Sequence, residues 1–156
     1  MQLIVAAIGH RMPSWVQQAW TEYSRRFPRS FSLELREIPM ARRSSKSDIG
    51  RLREQEGQAL LSTVPAGFRI VALDERGKQW STMELAGHME TWMMEEHGVC
   101  LLVGGPDGLP SICRQKAHDT WSLGRLTLPH PLVRVVLSEQ LYRAWSITQN
   151  HPYHRA

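Results

Sequence analysis

The sequence predicts an α/β fold with a mainly parallel sheet flanked by helices, on three observations. Residues 3–8 and 99–103 are continuous apolar runs and residues 68–73 are apolar apart from Arg69, the pattern of buried strands. Longer segments with apolar residues at helical spacing lie between and after them. Strand and helix then alternate along the whole chain with no internal repeat and no linker, as a layered α/β domain requires.

Taken in order, the first strand ends at Gly9, and Pro13 is suited to a first helical turn. Trp15, Ala19, Tyr23 and Phe27 recur every four residues until Pro28, which predicts a helix with those residues on its inner face. Phe31, Leu33 and Leu35 alternate with Ser32, Glu34 and Arg36, giving a strand with one polar face, placed near a sheet edge and ended by Pro39. Residues 40–47 carry Arg42, Arg43 and Lys46 among small polar residues; this is a basic loop, either solvated surface or a contact for an anion. Ser47 or Asp48 can cap the next helix, marked by Ile49, Leu52, Leu60 and Leu61 and closed near residues 65–67. After the strand at 68–73 come a turn at 74–78, a helix at 83–96 and the strand at 99–103. A last long helix spans about 132–149. Its stripe of Val133, Leu137, Leu141, Ala144 and Trp145 is accompanied by off-stripe Val135, Val136, Tyr142 and Ile147, which calls for more than one packing neighbour and suggests a second subunit.

The chain of 156 residues is expected to form a single domain, 1–156, large enough to bury about 68–70% of its unfolded surface without disulfides or metal. Apolar residues make up 42% and charged residues 22%, which excludes disordered and collagen-like classes. Nineteen Lys and Arg against 15 Asp and Glu leave +4, compatible with an RNA partner but short of a dense basic arm. With only Cys100 and Cys113, no basic segment ahead of the first apolar run and no long uncharged apolar stretch, a cytoplasmic location with reduced thiols is expected. His88, His97 and His118 lack metal-ligand spacing, so no metal is expected, and Trp80, Trp92 and Trp121 read as packing residues.

Ligands of such sheets bind in loops at the carboxyl ends of the strands, which directs attention to the loops after Leu73 and Val103. The second is Gly104-Gly105-Pro106-Asp107-Gly108, a glycine turn between a strand and a helix opened by Pro110. It has neither the Lys-Ser/Thr of a P-loop nor GxGxxG spacing, and it suits an ordinary tight turn as well as a ligand cradle. Beyond it, residues 120–131 are too apolar for a surface loop, lack helical spacing and end in Pro129-His130-Pro131; they read as a short strand and a buried, ligand-shaping loop.

The strings LLVGGPDG, WSLGRLTLPHPLVRVVLSEQLYRAWSI and NHPYHR, with IGHRMPSWV and EYSRRFP near the start, resemble the RlmH family of small bacterial methyltransferases in the SPOUT superfamily, and the resemblance covers nearly the whole chain. It implies a C-terminal deep trefoil knot, a homodimer, the cofactor S-adenosylmethionine and methylation of N3 of a pseudouridine in large-subunit (23S) rRNA on the assembled ribosome. The alternative within the same family is a non-catalytic RNA- or ribosome-binding module with a vestigial cofactor site. By the resemblance, cofactor contacts fall on Leu73, Gly104, Leu123, Gly124, Arg125, Leu126, Thr127 and Leu128, with the backbone of Arg125 rather than its charge expected to matter.

The imide proton of pseudouridine must be accepted or the developing anion stabilised. The tail residues His151 to Arg155 offer a base, a stacking ring and a guanidinium, and the resemblance makes Tyr153 and His154 catalytic candidates and Arg155 an RNA contact, where composition alone would give a loose terminus. Glu139 and Arg143 share a helix face, either as a helix ion pair or as an RNA-site pair with Arg143 toward phosphate. His130 is a rigid-turn residue or a catalytic one, and His10 with Arg11 is a cap or an RNA contact.

Overall fold

The computed structural model describes residues 1–155. Its elements in chain order are β1 (Gln2–Ile8), α1 (Ser14–Ser24), β2 (Ser32–Ile38), α2 (Ile49–Ser62), β3 (Arg69–Gln79), α3 (Thr82–Glu95), β4 (Gly98–Val103), α4 (Ser111–Lys116), β5 (Asp119–Ser122), α5 (His130–Thr148) and a 3-10 turn at Pro152–Arg155. The described strands form one parallel sheet in the order β2-β1-β4-β3-β5. β2 is an edge, as its polar face predicts.

Period-two alternation divides the core into two layers. Leu3, Val5 and Ala7 of β1 pack with Val99 and Leu101 of β4 against α1, α3 and α5. Ile4, Ala6 and Ile8 pack with Cys100 and Leu102 on the opposite face, against α2 and α4. Both faces of β1 and β4 are therefore covered, which is why these strands read as unbroken apolar runs. Burial at Cys100 pushes its thiol up to about 12, and at Cys113 to about 11, so both stay protonated at neutral pH.

Helix boundaries follow side-chain chemistry. Asp48 caps α2 by accepting from the Arg51 amide, and Ser81 with Glu84 forms a reciprocal capping box on α3. Two expectations are corrected. Val16 and Trp20 of α1 are buried with Tyr23 packed beside them and Phe27 entering the core beyond the helix, while Trp15 is 48% exposed and leaves the expected stripe. The turn expected at 74–78 is an excursion within β3: Leu73 and Lys78 both register on Trp121, so residues 74–77 bulge out and the strand resumes. Gly77 permits this, since a Cβ there would lie 2.6 Å from the Thr120 carbonyl oxygen. α5 packs against both α1 and α3 of its own chain, while the off-stripe Val135 and Val136 stay half-buried.

Candidate active site

The carboxyl ends of β3, β4 and β5 open into a cleft of about 670 Å³, within the usual range for a small-molecule site. Its walls are the β3 bulge, the glycine turn after β4, and the segment that joins β5 to α5. The glycine turn is closed by the Gly108 amide donating to the Gly105 carbonyl at 3.0 Å, with Gly108 at a φ of 77° that favours glycine. A Cβ on Gly104 would lie 2.6 Å from the Gly108 carbonyl carbon and 2.7 Å from the Leu109 nitrogen. The requirement for glycine at 104 is thus set first by the turn folding back on itself.

Of the residues expected to contact a cofactor, Leu73, Gly104, Leu123, Gly124, Leu126, Thr127 and Leu128 all line this cleft, and Arg125 is outside the lining. The loop expected to be buried is instead a half-open rim, with Leu126 82% exposed. Its apolar character serves the cleft wall rather than the core. Ser122 shapes the entry to this loop by accepting from the Gly124 amide and donating to the Gly124 carbonyl.

Polar capacity is concentrated here. Arg53 Nε, Trp121 Nε1 and His130 Nδ1 are buried atoms without a hydrogen-bond partner among the described residues, and all three residues line the cleft. Such groups are costly to leave unpaired, so they mark a place where a ligand or water completes the bonding. His130 is held below its ordinary pKa, chiefly by burial and further by the Arg134 charge, which keeps its ring neutral at pH 7. Acidic groups also face the space: Asp74 accepts from the Arg76 amide at 2.9 Å and from Arg114 at 3.3 Å.

The tail candidates form a second cluster. Tyr153 donates from its hydroxyl to Glu139 Oε1 at 3.0 Å, and the same oxygen accepts from Arg143 Nε at 2.8 Å. Arg143 also lies over the Tyr153 ring, 5.0 Å from its centroid, and Arg26, just beyond α1, lies 5.5 Å from it. Burial and the Glu139 bond raise the Tyr153 phenol pKa well above its usual range, so at neutral pH it is a hydrogen-bond donor and not a phenolate base. Arg155 is exposed, and His154 has a buried Nδ1 without a partner among the described residues. Glu139 stands nine residues beyond His130 on α5, about 14 Å along the helix axis. Within one chain, the cleft and the tail cluster are separate.

A family model described as "Predicted SPOUT methyltransferase" matches residues 1–154. The chain belongs to the SPOUT methyltransferase family. It is 50% identical over 155 residues, 99% of this chain and 100% of the relative, to the ribosomal RNA large subunit methyltransferase H of Marinomonas sp. (strain MWYL1). It is 53% identical over 155 residues, 99% of each chain, to the protein of the same name from Hahella chejuensis (strain KCTC 2396). Membership makes the molecule a methyltransferase.

Among the other residues of this SPOUT chain, His10 and Arg11 are exposed on the loop after β1, with Arg11 at a φ of 59°, and Trp80 stacks on Trp121 behind the cleft. Sequence reasoning missed Arg53, Arg114 and the fully buried Arg134. Arg134 reaches Glu37 at 2.6 Å and the Gly9 carbonyl at 2.7 Å. The available signal was an arginine between Val133 and Val135 in an otherwise apolar helix segment. Arg43, expected in a free basic loop, is instead paired with Glu56 and Asp107.

Proposed function

We propose that this protein transfers a methyl group from S-adenosylmethionine to N3 of a pseudouridine in large-subunit (23S) rRNA. In this reading it acts on the assembled ribosome, in the cytoplasm, as a homodimer of one SPOUT domain, 1–156, whose C-terminal part forms the trefoil knot. The observation that carries the proposal is the cleft at the ends of β3, β4 and β5, lined by the glycine turn and the segment after β5. Near full-length similarity to two proteins named as large-subunit rRNA methyltransferases supports the substrate.

The cleft residues fit the cofactor. Leu73, Leu123, Leu128 and Val133 give apolar walls for an adenine ring, the unpartnered N–H groups of Trp121 and Arg53 offer donors, and Asp74 offers negative charge for a cationic ligand. Leu126, Thr127 and the backbone of Gly104, Gly124 and Arg125 complete the proposed contacts. The bound cofactor would supply an electrophilic methyl on a sulfonium, chemistry that needs no metal. The protein's task is then alignment, and a fixed geometry of the reactants can lower the barrier by about 7–11 kcal/mol. Tyr153 and His154 are the proposed catalytic contacts to the base, with the Tyr153 ring, fixed by its hydroxyl bond to Glu139, offered as a stacking face. Arg143 and Arg155 are the proposed phosphate contacts, with Glu139 orienting Arg143. Because none of the described tail residues lines the cleft of its own chain, whose α5 wall ends at Val133, about 9 Å before Glu139, we assign the tail to the cleft of the second subunit.

Ribosomes from a strain lacking the protein, incubated with purified enzyme and S-adenosylmethionine, should gain one methyl mass on a pseudouridine-containing fragment. Absence of that gain would sink the proposal, and S-adenosylhomocysteine giving no binding heat would point to the non-catalytic module instead.

A further inference from the structure

The basic loop of residues 40–47 is tied to the glycine turn by one side chain. Arg43 places NH2 2.7 Å from Glu56 Oε1 and 2.7 Å from Asp107 Oδ2, and its Nε donates to Asp107 at 2.9 Å. Glu56 is on α2 and is 5% exposed, so its carboxylate needs that partner. Asp107 belongs to the turn that walls the cleft. A second arginine braces the same turn, with Arg53 NH1 donating to the Asp107 carbonyl at 3.3 Å. A Cβ on Gly105 would lie 3.4 Å from Glu56 Oε2, so the buried carboxylate also abuts the turn itself. On either side of Arg43, Arg42 and Lys46 are exposed.

A solvated basic loop would have no reason to place a guanidinium between a buried carboxylate and a turn aspartate more than sixty residues away in sequence. We propose that Arg43 is a positioning residue, a latch through which the loop that offers Arg42 and Lys46 to RNA phosphate and the glycine turn of the cofactor cleft are ordered as one unit. The inference rests on the function proposed above. When the cofactor orders the turn, the latch also orders the loop, so cofactor and RNA bind more tightly together than separately. Thermodynamic reciprocity makes the coupling equal in both directions.

The test uses the full chain and three variants. Asp107→Asn weakens the turn side of the latch. Arg43→Gln combined with Glu56→Gln removes it without leaving an unpaired buried charge. Arg42→Ala removes only a phosphate contact. Hydrogen exchange without any ligand should accelerate about tenfold at residues 104–109 in the double variant and at 40–47 in Asp107→Asn, the loss of a charge-assisted bond. Binding to ribosomes from a strain lacking the enzyme, with and without S-adenosylhomocysteine, should show a coupling of about tenfold in the wild type that vanishes in both latch variants. Arg42→Ala should weaken ribosome binding equally in the two conditions. Unchanged exchange in both latch variants overturns the latch, and full coupling in a variant whose turn has loosened overturns its role. A wild-type protein that binds no S-adenosylhomocysteine overturns the methyltransferase reading, while the ligand-free exchange still judges the latch.

Discussion

Arg134 is fully buried on α5 and donates to Glu37 and to the Gly9 carbonyl, fastening the helix after the cleft loop to the ends of β1 and β2. Removing this side chain leaves a cavity and an unpaired Gly9 carbonyl, while Glu37 is exposed and turns to water. Arg134→Ala should therefore cost about 2–5 kcal/mol in urea unfolding, with Arg134→Lys recovering only part because it lacks the planar fork. His130 gives a prediction in pH. Its pKa is lowered from 6.5 in the folded protein, so the unfolded chain binds the proton more readily. Its contribution is present above the unfolded value and is lost as pH falls through the folded one; His130→Gln should flatten the decline in urea midpoint between about pH 7 and 5. At Gly104, the added Cβ collides with the turn's own backbone. Gly104→Ala should lose about 1–3 kcal/mol of stability together with S-adenosylhomocysteine affinity, followed by melting and calorimetry in parallel. The glycine turn was legible in the sequence, because a Pro-Asp-Gly turn after a buried strand is a local pattern, whereas Leu73, read as a strand end, precedes the bulge inside β3. Arg43 and Arg134 were not, since their partners lie far away in sequence: Asp107 and Glu56 for one, Glu37 and Gly9 for the other.

At the level of elements, the tail is the segment whose role changes most between sequence and structure. Composition alone gives a loose end, yet Tyr153 is anchored to Glu139 and packs edge-on against Tyr142 at 4.8 Å. Truncation after Asn150 removes these contacts but leaves every wall of the cleft. It should leave S-adenosylhomocysteine binding largely intact while abolishing rRNA methylation, with calorimetry and a radiolabelled methyl assay as the two measurements; equal loss of both would make the tail purely structural. The strands β1 and β4 were readable because burial on both faces leaves no polar position. Within the expected α1 stripe Trp15 was misplaced, since it satisfies an apolar pattern while facing solvent, whereas Tyr23 and Phe27 do reach the core. The β3 bulge was invisible as such, because a charged run that interrupts an apolar strand looks the same whether the chain turns away or bulges and resumes.

The whole molecule must solve a problem of space. The cleft reaches α5 at Val133 and the tail cluster begins at Glu139, about 9 Å further along the helix, and none of the described tail residues lines the cleft, so the proposed dimer completes each site with a second chain. If so, mixing tail-truncated protein with a Gly104→Val variant should recover methylation in heterodimers, although neither protein is active alone. The measurement is activity after co-refolding, against the two parents. No recovery, with heterodimers demonstrated by mass spectrometry, would place tail and cleft in the same chain. The charge excess of +4 also takes a different meaning at this scale. Arg43 is committed to Glu56 and Asp107, whereas Arg42, Lys46 and Arg155 are exposed and would face an anionic partner.

By itself, the sequence determined the α/β class, the strand-end loops as the place for a ligand, and the family resemblance, because each depends on residues close together in the chain. Tertiary structure alone decided that the glycine turn, the β3 bulge and the segment after β5 enclose one cleft, and that Arg43 joins the basic loop to it. Those facts depend on strand order β2-β1-β4-β3-β5 and on ion pairs between distant residues, which no local periodicity encodes.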